Sequence, residues 1–235
     1  MFRTTGNSAL LFDFGGTLDA DGLPWVDRFF ELYAASGGRV GASEFRRVFA
    51  ETEVALALLP RVDSFDYTRT VAAQAGLLAD LLPGDRGLAW EELAGQMTGN
   101  AVRAAARNHV LLQALADRQP LGVISNFQGN LEPCLDELGL LDRFDVVVDS
   151  ARVGVRKPDP AIFRLTLARV GADPDSSWMI GDSPVSDIEP AAALGMRTCW
   201  IAPEHRTDRL PTVAPTARLA RLTDLPAVLE AACTR

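Results

Sequence analysis

A short apolar run near the beginning of the chain ends abruptly in a polar, glycine-rich turn. Residues 8–12 are apolar at nearly every position, and Asp13 and the pair Gly15 and Gly16 follow closely. This pattern is typical of a buried central strand that runs into a tight loop. In α/β folds, chemistry is often located at such strand ends. We therefore predict a strand over residues 8–12 that places Asp13 at its carboxyl end.

The apolar period becomes helical between residues 25 and 108, and no strand-like run interrupts it. The predicted helices cover residues 25–36, 43–59, 64–82 and 90–108. After this block, apolar bursts predict strands over residues 121–125, 144–149, 178–181 and 198–201, separated by helices over residues 131–138, 160–170 and 188–194. Residues 203–215, which contain three prolines, predict a surface loop, and residues 225–232 predict a closing helix.

Alternation of strand and helix implies a parallel sheet with helices on both of its faces. The helical block follows the first strand, so it is an insertion into that sheet domain. We predict an α/β fold with a Rossmann-like parallel sheet core, residues 1–20 and 109–235, and an inserted α-helical cap, residues 21–108.

Four polar stretches lie at the predicted strand ends: residues 13–18, Ser125 with Asn126, residues 156–158, and residues 181–183 with Asp187. The carboxyl ends of neighbouring parallel strands share one edge, so we expect these loops to converge. Asp13, Asp182 and Asp187 would then bring three carboxylates together, which requires a cation or a shared proton. Oxygen ligands without a nearby histidine or cysteine indicate Mg²⁺.

The other residues of these stretches suit a phosphoryl group. Ser125 supplies a hydroxyl donor and Lys157 an ammonium for the phosphoryl oxygens and their developing charge. Gly16 has no side chain and would let backbone N–H groups approach an anion closely. Lys157 is also the only lysine in an arginine-rich chain, which fits a role as a compact point charge. Each element alone is ordinary for a turn, a cap or a solvated loop, but together and in this order they indicate an active site.

These stretches resemble the four motifs of the haloacid dehalogenase-like hydrolases. The resemblance spans the whole chain, including a helical insertion between the first and second motifs. It implies that Asp13 attacks phosphorus to form an aspartyl-phosphate, and that Mg²⁺ is held by Asp13, the backbone carbonyl of Gly15 and Asp182, with Asp187 in the outer shell.

The same resemblance assigns the remaining motif residues. Ser125 and Lys157 match the catalytic pair that holds the phosphate, and the substrate-binding positions are Gly16, Thr17 and Asn126. The implied activity is that of a phosphatase or phosphotransferase acting on a small phosphorylated metabolite.

The chain departs from the family pattern at Gly15. Phosphatases of this family usually carry a second aspartate there, which protonates the leaving oxygen and later activates water. Such a proton donor contributes about 10²- to 10⁴-fold in rate. Its absence favours activated leaving groups, such as those of acyl phosphates, anhydrides or aryl phosphates.

Two alternatives to this interpretation of Gly15 stay open. Asp19, Asp21 or His109 could supply the proton, although we favour a solvated turn for the two aspartates and a structural role for His109. Alternatively, the chain is a catalytically idle binding or scaffold protein.

Other branches of the family fit these residues less well. Phosphonoacetaldehyde hydrolases use a cap lysine, and none is present between residues 1 and 156. Haloacid dehalogenases act without Mg²⁺ and usually carry a tyrosine at the position of Gly15, so Asp182 and Asp187 make dehalogenation the weaker alternative. Phosphoglucomutases need the second aspartate to shuttle protons, so Gly15 disfavours their reaction.

The cap is expected to select the substrate, but its residues have common structural uses. Its arginines suit either a second anionic group or a solvated helix face; they are Arg28, Arg46, Arg47, Arg61 and Arg69. Trp25 and Phe29 suit either an apolar substrate body or, more commonly, the core of the cap.

The composition of the chain limits the kinds of molecule that it is expected to bind. The formal net charge of −8 and the sequence pI of about 4.8 disfavour binding to nucleic acid. No segment resembles a membrane-spanning helix or a secretory signal, so we expect a cytoplasmic chain that does not contact a membrane. Three widely spaced cysteines, Cys134, Cys199 and Cys233, are expected to be reduced. A small phosphorylated molecule is the expected ligand.

Overall fold

A parallel sheet forms the centre of the computed structural model, which describes residues 7–204 and 210–233. Within these residues the sheet has six strands in the order β3-β2-β1-β4-β5-β6. They are β1 (Leu10–Phe12), β2 (Leu121–Ser125), β3 (Val146–Asp149), β4 (Trp178–Gly181), β5 (Arg197–Ile201) and β6 (Ala217–Leu219). Every residue of β1, β2 and β4 is buried, which explains their uninterrupted apolar runs. The predicted α/β fold with a parallel sheet is confirmed.

Helices occupy the long insertion after β1 and the connections between later strands. The insertion contains α1 (Trp25–Ala35), α2 (Ala42–Ala57), α3 (Tyr67–Leu81) and α4 (Trp90–Ala116). The connections contain α5 (Leu131–Glu137), α6 (Ser150–Val153), α7 (Pro160–Val170) and α8 (Glu189–Ala193), and α9 (Leu225–Cys233) follows β6. None of these helices combines the length and the apolar character needed to cross a membrane.

The observed elements differ from the predicted ones in several places, and most bounds shift by one to three residues. The short helix α6 was not predicted. Helix α4 continues through Asn108 to Ala116, because Leu111, Leu112 and Leu115 extend its buried face and no proline or glycine interrupts it. The predicted boundary between cap and core therefore lies within one helix, and the division into domains stays a prediction. Strand β6 was not predicted, because it is short, only partly buried and lacks an apolar run. A turn of π-helix, Pro184–Ile188, precedes α8.

Part of the predicted surface loop and both ends of the chain lie outside the residues that the structure describes. Residues 205–209 of that loop and residues 1–6 are among these, and so is the side chain of Cys233. The other two cysteines, Cys134 and Cys199, are buried and not disulfide-bonded.

An apolar cluster extends from one face of the sheet into the cap. Phe12 on that face shares a continuous apolar cluster with the cap residues Phe29 and Phe45, whereas Leu11 points into a separate cluster on the opposite face. This division follows from the alternation of side chains along a strand. A buried hydrogen bond also joins the two parts, since Asn108 Nδ2 donates to the Leu18 carbonyl at 2.8 Å. The cap is therefore joined to the core through this cluster and through the loop that follows β1.

Candidate active site

The carboxyl ends of β1, β2 and β4 bring residues from distant parts of the chain to one edge. Asp13 follows β1 and is held against β4, because its N–H donates to the Ile180 carbonyl at 2.9 Å. Ser125 is the last residue of β2. Asp182 follows β4, and its carbonyl accepts a hydrogen bond from the Trp200 indole at 3.0 Å. The strand order places β1 between the other two, so Asp13 lies at the centre of this edge.

Asp13, Asp182 and Asp187 form a buried carboxylate cluster. One oxygen from each lies within 4.8 Å of the other two, and no side chain in the group exceeds 9% exposure. Burial raises the pKa of Asp13 to about 6; the Lys157 ammonium opposes this effect and the Asp187 carboxylate adds to it. Three converging carboxylates match the ligand preference of a hard divalent cation such as Mg²⁺.

The backbone at Gly16 is shaped around this cluster. Gly16 has a φ of +95°, and a Cβ at this position would lie 2.8 Å from Asp182 Oδ2. Any side chain would therefore displace a carboxylate of the cluster, so glycine is required here.

Lys157 is the cation that links the cluster. Its ammonium donates to Asp13 Oδ1 and to Asp187 Oδ1, both at 2.6 Å, and its side chain is 3% exposed. Burial lowers the pKa of Lys157, but the two carboxylates raise it more strongly, so it stays above its ordinary value and the ammonium stays charged. Asn126 fixes the backbone of Lys157 with two hydrogen bonds: Asn126 Nδ2 donates to the Lys157 carbonyl at 2.9 Å, and the Lys157 N–H donates to Asn126 Oδ1 at 2.8 Å.

Two residues of the predicted substrate-binding set, Gly16 and Thr17, make contacts within the protein and do not face the cavity described below. The Gly16 N–H donates to Asp19 Oδ1 at 2.6 Å. The Thr17 side chain is buried, and its hydroxyl has no hydrogen-bond partner in the described part of the chain.

Asp19 is buried rather than solvated, contrary to the interpretation that we favoured from sequence. Besides the Gly16 N–H, its carboxylate accepts hydrogen bonds from the indole of Trp25, the guanidinium of Arg28 and the hydroxyl of Tyr67, each at 2.7 Å. Trp25 and Arg28 belong to α1 and Tyr67 begins α3. Asp19 therefore ties the loop that follows the nucleophile to two helices of the cap. We call these five residues the Asp19 cluster.

The other two proposed proton donors also make structural contacts. Asp21 forms an ion pair with Arg107 at 2.6 Å and accepts a hydrogen bond from the Leu222 N–H. A ring nitrogen of His109 is 2.9 Å from the Gly139 carbonyl. Neither residue lines the cavity that contains Asp13.

A cavity of about 760 Å³ separates the carboxylate cluster from the cap. The core contributes Gly15 and the motif residues Asp13, Ser125, Asn126, Lys157, Asp182 and Asp187. The cap contributes apolar side chains, among them Trp25 and Phe49, and polar ones, among them Arg46, Glu53 and Gln74. The cavity therefore has a polar floor at the strand ends and a mixed wall formed by the cap.

Most cap arginines that we considered from sequence are engaged in structural contacts. Arg28 belongs to the Asp19 cluster, Arg47 pairs with Glu51, and the guanidinium of Arg69 lies 4.0 Å from the centre of the Phe65 ring. Of the five arginines, only Arg46 lines the cavity, and it is paired with Asp27 at 2.9 Å.

The two aromatic residues near the cap entrance have different positions. Phe29 is fully buried in the cap core. Trp25 lines the cavity and packs edge-on against Phe127, with 6.0 Å between ring centres.

Sequence analysis missed the cap residues that face the site. Glu53, Gln74 and Phe49 lie on ordinary amphipathic helices, and nothing in their spacing separates the cavity side from the solvent side. Phe127 and Gln128, which also line the cavity, directly follow Ser125 and Asn126. Proximity to that motif was a signal that could have found these two.

Comparison with known proteins agrees with this geometry. A family model described as haloacid dehalogenase-like hydrolase matches residues 8–195. A pyrimidine 5'-nucleotidase of Escherichia coli is 37% identical over 122 residues, which cover 51% of this chain and 53% of that protein. A phosphoglycolate phosphatase of Rhodospirillum rubrum is 37% identical over 140 residues, which cover 59% and 52%. The chain spans about half the length of these two curated relatives.

The similarity to one solved structure covers nearly the whole chain. The 2-haloacid dehalogenase of Pseudomonas syringae has a TM-score of 0.53 and 25% sequence identity, covering 95% of this chain and 98% of that one. Since the family match covers most of the sequence and the motif residues meet at one edge of the sheet, the chain belongs to the haloacid dehalogenase-like hydrolase family.

Proposed function

We propose that this chain is a Mg²⁺-dependent phosphohydrolase that acts on a small phosphorylated molecule through an aspartyl-phosphate at Asp13. One observation carries the proposal: the Lys157 ammonium lies 2.6 Å from both Asp13 and Asp187, within a buried cluster of three carboxylates. A charged nucleophile, an adjacent cation and further metal-ligating oxygens are the components that phosphoryl transfer requires. The similarity to a nucleotidase and a phosphoglycolate phosphatase supports the same class of reaction.

In the first step, an oxygen of Asp13 attacks phosphorus while the bond from phosphorus to the leaving oxygen breaks. Lys157 offsets negative charge on the phosphoryl oxygens, and the Ser125 hydroxyl donates a hydrogen bond to them. Asn126 keeps the Lys157 backbone in place through its two hydrogen bonds. Mg²⁺, held by Asp13, Asp182 and the carbonyl of Gly15 with Asp187 in its outer shell, would supply further charge stabilisation and orient the phosphoryl group.

In the second step, water attacks the phosphorus of the aspartyl-phosphate, phosphate leaves, and the Asp13 carboxylate is restored. Gly15 offers no side chain to protonate the leaving oxygen in the first step or to activate water in the second. Asp19 cannot replace that group, because its carboxylate is saturated by four hydrogen-bond donors. We therefore propose that the enzyme favours leaving groups that depart as stable anions, and that breakdown of the intermediate limits turnover.

Two alternative functions predict different results from those of a phosphohydrolase. A catalytically idle scaffold also explains Gly15, but it gives no reason to keep a lysine buried between two carboxylates. A dehalogenase would use Asp13 against carbon, and the fold alone is compatible with that reaction because a 2-haloacid dehalogenase shares it. The cluster of Asp182 and Asp187 with Asp13 favours a metal-assisted reaction over the dehalogenase.

The proposal is tested by incubating the purified chain and an Asp13→Asn variant with p-nitrophenyl phosphate, acetyl phosphate, simple alkyl phosphates and 2-chloropropionate. We expect Mg²⁺-dependent phosphate release from the first two compounds only, and none from the variant. Halide release would favour the dehalogenase. Absence of phosphate release from the activated compounds would contradict the proposal.

A further inference from the structure

We propose that the cap end of the cavity selects a leaving group that carries an N–H or O–H donor and rejects one that carries a second phosphate or a carboxylate. The determinant is Gln74, assisted by Glu53. This inference rests on the proposed function, because it concerns the part of the same substrate that lies beyond the phosphoryl group.

Gln74 presents a hydrogen-bond acceptor without a partner. Its side chain on α3 is 1% exposed, it lines the cavity, and its Oε1 makes no hydrogen bond within the described residues. Six buried side-chain atoms in that part of the chain lack a partner, and only those of Gln74 and Gln128 belong to residues that line the cavity. A buried acceptor without a partner is unfavourable, so a ligand donor at this position would be stabilising.

The orientation of the Gln74 amide is fixed by its neighbour. The Thr52 hydroxyl donates to the Phe49 carbonyl at 2.7 Å, so its oxygen is left to accept the hydrogen bond from Gln74 Nε2 at 2.5 Å. Rotating the amide by half a turn would require the Thr52 hydroxyl to leave the Phe49 carbonyl in order to donate to Oε1, so the observed orientation is the one that keeps both hydrogen bonds. Oε1 is therefore the atom left for the ligand.

The charges around this end of the cavity disfavour a second anion. Arg46 is the cap cation in the wall, and both its Nε and its Nη2 donate to Asp27. Glu53 lines the cavity from α2, one residue after the Thr52 that anchors Gln74. A phosphate or carboxylate bound here would face the Glu53 carboxylate and a neutral acceptor, while the cap cation in the wall is already paired. Arg156 acts on the Glu53 carboxylate and does not line the cavity. An ammonium or hydroxyl would be paired instead.

The test uses phenyl phosphates with an aminomethyl, hydroxymethyl, methyl or carboxymethyl group in the meta or para position. The methylene insulates the phenol, so the four leaving groups have similar reactivity. We expect kcat/KM to be highest for the aminomethyl and hydroxymethyl compounds and lowest for the carboxymethyl compound. Gln74→Met should reduce the advantage of the aminomethyl over the methyl compound by about tenfold. Gln113→Met, the same exchange on the exposed face of α4, should leave that ratio unchanged.

Two further measurements separate this inference from a folding defect and from the proposed function. Gln74→Glu keeps an acceptor and should retain the preference for the aminomethyl compound. Calorimetric titration of the Asp13→Asn protein with the same four compounds measures the preference without turnover. If wild type hydrolyses none of the compounds but binding still favours the donors, the proposed function fails and this inference stands. A preference for the carboxymethyl compound, or an equal loss for all four in Gln74→Met, would overturn the inference.

Discussion

The indole of Trp25 lies against Gly15, where family phosphatases carry their second aspartate. A Cβ added to Gly15 would be 3.3 Å from Trp25 Nε1 and 3.4 Å from Cδ1. The indole N–H is committed to Asp19 at 2.7 Å, so the ring is held in this position. The missing proton donor and Trp25 are therefore structurally related, because a Cβ at residue 15 would require Trp25 to shift by a few tenths of an ångström.

We expect Gly15→Asp alone to raise alkyl phosphate hydrolysis only slightly, because the new carboxylate would press against Trp25. Gly15→Asp combined with Trp25→Leu should raise it by roughly 100-fold, within the range for a positioned proton donor. The measurement is the initial rate of phosphate release from an alkyl phosphate. Gly15→Asn with Trp25→Leu is the matched control, and an equal increase in that variant would show that space rather than proton transfer is limiting.

The Asp19 cluster should be a principal attachment of the cap. Asp19→Asn leaves the buried Arg28 without its counter-ion, so we expect the free energy of unfolding to fall by about 3 kcal/mol. Tyr67→Phe removes one hydrogen bond and should cost about 1 kcal/mol. Urea unfolding measures both. Asp27→Asn breaks the partly exposed pair with Arg46 and should cost less than about 1 kcal/mol; a similar loss in all three variants would contradict the importance of Asp19.

Lys157→Met should lower kcat for p-nitrophenyl phosphate by at least about 100-fold, because it removes the cation beside the nucleophile. Steady-state kinetics with saturating Mg²⁺ measures the effect. Arg164→Met removes an exposed cation from α7 and is the matched control, which should stay within about twofold of wild type. A loss of less than tenfold in Lys157→Met would show that the ammonium does not act on the phosphoryl group.

Mg²⁺ should stabilise the protein, and the effect should depend on pH. Burial raises the pKa of Asp13 to about 6 in the absence of metal, so the proton is held more tightly in the folded state. In metal-free protein the resulting stabilisation is fully present below the ordinary value of 3.8 and is lost as the pH rises through about 6. Mg²⁺ requires the ionised form, so its affinity should fall by up to about tenfold per pH unit below 6. Thermal unfolding with and without Mg²⁺ at pH 5 and pH 8 measures this. A Tm increase that is independent of pH, or unchanged in Asp182→Asn, would contradict it.

Much of the fold follows from periodicity in the sequence. The buried strands β2 and β4 and helix α7 have the predicted bounds, because a burst of apolar residues or a proline at the first helical position marks each one. Strand β6 has two half-buried residues and one exposed residue, so it gives no comparable signal. The end of α4 was misplaced because its apolar face continues without a break from the cap into the core.

The site was predictable where its residues directly follow a strand, as Asp13 and Asp182 do. The cap wall of the cavity could not be predicted, because Gln74 and Glu53 face the cavity only as a result of how α2 and α3 pack. The structural role of Asp19 could not be predicted from the sequence for the same reason. Three of its four donors lie between 6 and 48 residues away along the chain, and no local pattern connects them.

The central claim is covalent chemistry at Asp13, and trapping the intermediate tests it most directly. The protein is mixed with Mg²⁺ and acetyl phosphate or p-nitrophenyl phosphate, quenched in acid and analysed by peptide mass spectrometry. We predict a phosphoryl group on Asp13 that is lost on treatment with hydroxylamine, absent in Asp13→Asn, and more abundant than in Gly15→Asp with Trp25→Leu, where water is activated. Turnover without phosphorylation of Asp13, or retained turnover in Asp13→Asn, would contradict the account.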